Sequence, residues 1–155
     1  MAVHHALSLG ERRWLLADLG GGSLELSLAD GDRIRWAASH QIGTVRLLED
    51  LQDPDTDPED YRKLVAEYAH VLRLPRQVKR SGVAGVIATG GNAEVLASLF
   101  GQSHEDDRSA RRIPMKKLRE AVRTLGGLSV KERMERSEEH TSELQSRLHL
   151  VCRLL

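Results

Sequence analysis

Short apolar runs separated by glycine turns make up residues 13–39, a pattern that predicts strands. Residues 13–19 form a continuous apolar run typical of a buried strand. Apolar and polar positions alternate over residues 24–29, as in a half-buried strand. Asp30-Gly31 is a strong hairpin signal, and residues 34–39 supply the returning strand. We therefore expect three sequential antiparallel strands at the start of the chain.

Helical spacing of apolar residues dominates the chain from residue 45 onward. The predicted helices cover 45–51, 58–74, 93–100 and 115–125, and one more opens at the Ser129–Glu132 capping box. A further buried strand is predicted over 83–88, and the charged segment 102–112 is expected to be a mobile loop. The fold class that follows is α/β, with antiparallel hairpin strands and a further strand packed with helices.

The balance of charges excludes several kinds of partner. Lysine plus arginine and aspartate plus glutamate number 23 each, so no overall field favours nucleic acid or a membrane surface. Aromatic residues make up 3%, which argues against a base-stacking surface. No apolar run approaches the roughly 20 residues of a membrane span. Cys152 is the single cysteine, so an internal disulfide is excluded, and we expect a cytoplasmic protein.

Three consecutive glycines, residues 20–22, join the first two predicted strands. Glycine loses much conformational freedom on folding, so such a run favours a loop whose N–H groups approach an anion closely. Ser23 can donate its hydroxyl to a phosphate, and Asp18 and Glu25 offer hard oxygens to a divalent cation. The alternative is a glycine-rich hairpin turn with two incidental acids.

A second glycine turn, Thr89-Gly90-Gly91-Asn92, follows the strand at 83–88 and precedes a helix. A helix N-terminus at this point combines free N–H groups with the positive end of the helix dipole. We expect Asn92 to cap that helix. An ordinary turn before a helix is the alternative, but two such turns, each ending a buried strand, favour a ligand site.

The segment Asp18-Leu19-Gly20-Gly21-Gly22-Ser23-Leu24-Glu25 resembles the second phosphate motif of the exopolyphosphatase / guanosine pentaphosphate phosphohydrolase (Ppx/GppA) family. Three later segments, 42–47, 88–97 and 128–133, are similar to that family in order and approximate spacing. The resemblance covers roughly residues 5–135. It implies a ribonuclease H-like lobe of the actin-like ATPase type.

This resemblance implies hydrolysis of a terminal phosphoanhydride in inorganic polyphosphate or in guanosine penta- or tetraphosphate, assisted by Mg²⁺ or another divalent cation. Carried over by position, Asp18 and Glu25 would hold the metal or order the attacking water. The phosphate-binding residues so implied are Gly20, Gly21, Gly22, Ser23, Gly90, Gly91 and Asn92. Relatives of full length are expected to be homodimers.

The resemblance also implies that residues 1–135 are the second lobe of such a protein, truncated. In the exopolyphosphatases the first lobe brings its own phosphate loop and the expected general base, and only 17 residues precede Asp18. We therefore expect no activity from this chain alone. The alternatives are a non-catalytic module that binds a phosphate compound, and a truncated reading frame without function.

The C-terminal segment 136–155 has a different character. Residues 136–146 resemble the translation of a common sequencing-library adapter, which indicates a non-native tail. The alternative is an ordinary polar helix. We assign no functional role to this segment.

One arginine and two histidines remain to be interpreted. Arg46 lies in the segment 42–47 that is similar to the family's Gly-x-Val-Arg segment, and either a phosphate contact or a helix-surface salt bridge would account for it. His40 and His70 have no partner at ligand spacing, so both are interpreted as packing or surface residues.

Overall fold

The computed structural model describes residues 12–31, 33–50, 58–72, 74–103, 110–128, 132, 135 and 149–153. Within these residues seven strands form one mixed sheet, accompanied by five helices. The strands are β1 Arg13–Leu19, β2 Leu24–Asp30, β3 Arg33–His40, β4 Gly85–Thr89, β5 Gln102–Ser103, β6 Ala110–Pro114 and β7 His149–Arg153. The helices are α1 Thr44–Asp50, α2 Pro58–Val71, α3 Arg76–Lys79, α4 Gly91–Phe100 and α5 Met115–Gly126.

The order of the strands across the sheet is β3-β2-β1-β4-β7-β6-β5. The first three strands pair antiparallel, as the hairpin signals predicted. Gly31 has φ +48°, which suits the tight turn between β2 and β3. β4 then pairs parallel with β1, so β1 and β4 end at the same edge of the sheet. The predicted α/β fold class is confirmed.

Two groups of buried residues hold the sheet in place. Trp14, Ile87 and Ala110 form one, with Trp14 and Ile87 on neighbouring strands β1 and β4. Ala93 and Ala97 of α4 form the other with Ile113. Small side chains let a helix approach a sheet closely, so α4, which follows the second glycine turn, is held near the end of β4.

Several elements differ from the sequence-based prediction. The 102–112 segment is not a loop throughout, because Gln102 and Ser103 pair with Arg112 and Arg111 as β5 and β6. The second predicted helix ends at Val71, and the short helix α3 was not predicted. The helix predicted to open at Ser129 lies mostly outside the described residues.

Strand β7 lies inside the segment predicted to be a non-native tail. It pairs antiparallel with β4 and parallel with β6, between them in the sheet. Pairing of this kind depends on backbone groups and not on the origin of a sequence, so the adapter interpretation stays a prediction. No helix among the described residues is long and apolar enough to cross a membrane.

Candidate functional site

A row of polar side chains crosses four adjacent strands at the edge where β1 and β4 end. Asp18 of β1 is the register partner of Glu25 on β2 and of Thr89 on β4. Glu25 is in turn the partner of Ser39 on β3. Directly paired residues project from the same face of a sheet, with Cβ atoms about 4.5–5.5 Å apart in antiparallel pairs. The row Ser39–Glu25–Asp18–Thr89 therefore presents two carboxylates between two hydroxyls.

Hydroxyl groups fix one oxygen of the Glu25 carboxylate. The Ser23 hydroxyl donates to Oε1 of Glu25 at 2.6 Å, and the Ser39 hydroxyl donates to the same oxygen at 3.2 Å. Charge-assisted hydrogen bonds of this type hold a carboxylate in one orientation. The Ser23 hydroxyl thus orients the neighbouring acid, and its predicted contact with a phosphate stays a prediction.

The glycine loop between β1 and β2 rests on the start of α1. The N–H of Thr44 donates to the carbonyl of Gly20 at 3.2 Å, and the N–H of Val45 donates to that of Gly21 at 2.9 Å. Gly43 lies so close to the loop that a methyl group there would stand 2.1 Å from the carbonyl oxygen of Gly21. Glycine at this position lets the two backbones touch.

These contacts orient the peptide groups of the loop. In a trans peptide the C=O and the following N–H point in opposite directions, and the described backbone has no cis bond. Because the Gly20 and Gly21 carbonyls face α1, the N–H groups of Gly21 and Gly22 face away from it. Space lies open beside Gly22, where an added methyl group would meet nothing within 4 Å. The loop therefore presents N–H donors on its outer side, as an anion site requires.

Arg46 extends from α1 to the same loop. Its Nε donates to the carbonyl of Gly22 at 3.0 Å, and its Nη2 donates to Oε1 of Gln41 at 3.1 Å. Among the described residues these are its hydrogen-bond partners, so the predicted surface salt bridge is not what holds it.

The second glycine turn lies directly against the first strand. Gly90 has φ +101°, and a methyl group on it would stand 2.6 Å from the Leu19 carbonyl oxygen and 3.4 Å from Oδ1 of Asp18. The parallel pairing of β1 with β4 causes this approach, because it places Thr89 beside Asp18. The two turns that the sequence singled out therefore meet at one place.

Asn92 does not cap the helix that follows. The N-cap residue is Gly90, no side chain bonds there, and Asn92 lies exposed in the first turn of α4. The prediction of an asparagine cap was therefore wrong, since the helix begins at Gly91, two residues earlier than predicted. Gly91 is also exposed, with open space around it.

The donor set suits a hard divalent cation. Asp18 and Glu25 are both exposed and are direct cross-strand partners, an arrangement of like charges that is unfavourable without a counterion. No group of three or more His, Cys, Asp or Glu side chains in the described part of the chain could hold a metal. Two carboxylates completed by water and phosphate oxygens are the usual surroundings of Mg²⁺, so the pair fits such an ion.

Two residues of the row were not among the predicted site residues. Ser39 and Thr89 come next to Glu25 and Asp18 through strand register, which is not visible in the sequence alone. His40 pairs with Leu24, so alternation along β3 places its side chain on the face opposite Ser39 and Glu25. The interpretation of His40 as a packing residue agrees with its buried Nε2 atom.

Comparisons with known proteins agree with the resemblance drawn from the motifs. Residues 1–142 match the Ppx/GppA phosphatase family. An uncharacterised protein of Streptomyces coelicolor is 30% identical over an alignment of 140 residues, which covers 81% of this chain and 41% of that protein.

Solved structures show the same fold. An exopolyphosphatase from Cytophaga hutchinsonii superposes with a TM-score of 0.69 at 20% identity, covering 97% of this chain and 56% of that one. A Ppx/GppA family member from Aquifex aeolicus gives 0.66 at 20% identity, covering 98% and 55%. The chain thus spans about half the length of the proteins that it matches.

Proposed function

The chain belongs to the Ppx/GppA phosphatase family, and on that premise we propose that it binds the terminal phosphates of inorganic polyphosphate together with a divalent cation. The observation that carries the proposal is the meeting of the Asp18–Glu25 carboxylate pair with two glycine turns at one sheet edge. Carboxylates attract the cation, and outward N–H groups attract the phosphate.

In this proposal Asp18 and Glu25 hold Mg²⁺ or another divalent cation. The ion would neutralise charge on the phosphate oxygens when bound. The N–H groups of the glycine loop contact the terminal phosphoryl group. The Gly90–Gly91 turn faces the next phosphates of the polyphosphate. Positioning and charge stabilisation of this kind are the main contributions that a protein makes to phosphoryl transfer.

Polyphosphate is favoured over a guanosine penta- or tetraphosphate by one observation. The Cytophaga hutchinsonii protein with this fold is described as an exopolyphosphatase. A guanosine nucleotide remains the second candidate ligand, and competition between the two in one binding assay ranks them.

We infer that hydrolysis needs a group beyond the described residues. Glu25 Oε1 is occupied by two hydroxyls, and the described residues bring no third acid or histidine to the pair. The same two carboxylates would otherwise have to hold the cation and activate water. From the described residues alone we therefore propose binding without turnover, in a cytoplasmic setting.

Calorimetry tests the proposal on the 155-residue chain titrated with polyphosphate, with and without Mg²⁺. Saturable binding that strengthens with Mg²⁺ is expected, and Glu25→Gln should weaken it about tenfold or more because a charged metal ligand is lost. Glu120→Gln, an exposed acid on α5, is the matched control. Absence of binding, or equal loss in both variants, would overturn the proposal. A parallel assay for released phosphate separates binding from hydrolysis.

A further inference from the structure

Three consecutive carbonyl groups of the glycine loop accept hydrogen bonds from three consecutive residues. The N–H groups of Thr44 and Val45 donate to the carbonyls of Gly20 and Gly21. The side chain of Arg46 donates to the carbonyl of Gly22. The backbone cannot continue this series, because α1 has begun at Thr44 and the chain coils away from the loop. The guanidinium group of Arg46 thus extends the series by one residue.

The third contact fixes one peptide group, the one that joins Gly22 to Ser23. Its carbonyl is held toward Arg46, so its N–H, which belongs to Ser23, points to the outer side of the loop. Glycine permits a wide range of backbone angles, so this peptide could otherwise rotate. A rotated peptide would present a carbonyl oxygen to a phosphate where a donor is needed.

Gln41 holds Arg46 in the orientation that this contact needs. The carbonyl of the Gln41 side chain accepts from Nη2 while Nε reaches Gly22, so the planar guanidinium bridges two acceptors. A lysine ammonium lacks this fixed arrangement of donors. The bridge lies on the carbonyl side of the loop, opposite the N–H groups that would face an anion.

We propose that Arg46, held by Gln41, is a positioning residue that keeps the Ser23 N–H directed toward the bound phosphate. The proposal rests on the proposed function, since it concerns the same phosphate loop. It differs from a direct phosphate contact, because Arg46 acts through the Gly22 carbonyl.

Substitutions that separate charge from geometry test this role. Arg46→Gln and Arg46→Lys should each weaken polyphosphate binding about tenfold, the effect of losing one well-placed hydrogen bond to an ionic group. Gln41→Ala should weaken it in the same direction by a smaller factor. Arg119→Gln, which removes an exposed positive charge on α5, is the control for net charge and should leave binding unchanged. Wild-type affinity in Arg46→Lys would show that charge alone matters and would overturn the proposal.

Amide hydrogen exchange provides a measurement that needs no ligand. The Thr44 and Val45 amides, bonded to the loop, should exchange faster in both Arg46 variants than in the wild-type chain or Arg119→Gln. Unchanged exchange rates of these two amides would refute the proposed role of Arg46 in holding the glycine loop, whether or not polyphosphate binds. Failure of the wild-type chain to bind polyphosphate, with exchange accelerated as expected, would instead count against the proposed function alone.

Discussion

Gly90 lies against Leu19, so close that any side chain at position 90 would meet the Leu19 carbonyl oxygen. The contact joins the second glycine turn to the end of β1, beside the Asp18 carboxylate. It is a consequence of the parallel pairing between β1 and β4. The position of the second glycine turn in the candidate site therefore depends on Gly90.

Gly90→Ala should destabilise the fold by roughly 1–3 kcal/mol, since φ +101° is strained for any residue with a Cβ. The added methyl group would also stand 2.6 Å from the Leu19 oxygen. Thermal unfolding followed by circular dichroism measures the change. Gly91→Ala is the control, because a methyl group there meets nothing within 4 Å and alanine suits a helix. Equal melting temperatures for the two variants would contradict the structure.

Gly43→Ala should separate α1 from the glycine loop. A methyl group at position 43 would lie 2.1 Å from the Gly21 oxygen, and overpacking of this type costs about 1–3 kcal/mol. Both the melting temperature and polyphosphate affinity should fall. Gly22→Ala, with open space around it, should change the stability only within the range of ordinary surface substitutions, about ±0.5 kcal/mol. Destabilisation by Gly22→Ala as large as that by Gly43→Ala would be inconsistent with this geometry.

Ser39→Ala should weaken the cation-dependent part of polyphosphate binding. The hydroxyl of Ser39 helps hold Oε1 of Glu25, and one such hydrogen bond contributes about 1–1.5 kcal/mol, or roughly a fivefold to tenfold change in affinity. Calorimetry with and without Mg²⁺ isolates that part. Ser98→Ala, which removes a hydroxyl bonded within α4, is the control. If Ser39→Ala reduced binding equally without Mg²⁺, its role through the cation site would be excluded.

The contact between Tyr68 of α2 and Asp50 of α1 should depend on pH. The Tyr68 hydroxyl donates to Oδ2 of Asp50, and this bond, with the nearby negative charge, raises the pKa of Tyr68 above its usual value. A raised pKa in the folded state means that the stabilisation is complete below about pH 10 and is lost as pH rises through the raised pKa.

Ultraviolet titration of tyrosinate measures this pKa in a Tyr61→Phe background, which leaves Tyr68 as the single tyrosine. Asp50→Ala should lower the pKa of Tyr68 toward the ordinary value, while Glu49→Ala, on the same helix, should not. An unchanged pKa in Asp50→Ala would show that the bond does not form in solution.

The origin of the 136–155 segment can be decided independently of the fold. Genomic DNA that runs without interruption through codon 155 would refute the adapter interpretation, whereas a junction near codon 136 would establish it. The answer bears on the fold, because strand β7 belongs to this segment and lies between β4 and β6 in the sheet.

Local patterns were enough to identify the hairpins and the glycine turns. Alternation over 24–29 and the Asp30-Gly31 turn place β1, β2 and β3 in sequence, because side-chain period and turn chemistry are local properties. The motif from Asp18 to Glu25 likewise indicated the family, because its eight residues are consecutive in the chain. The sequence by itself thus determined the fold class and the family.

Tertiary structure alone decided how the parts meet. Strand register set Ser39 and Thr89 beside the two acids, and the parallel β1–β4 pair brought Gly90 against Leu19. Arg46 acquired its contact with Gly22 in the same way, from the packing of α1 on the loop. These relationships join residues distant in sequence, and their geometry depends on backbone pairing and packing. No local pattern of residues encodes them.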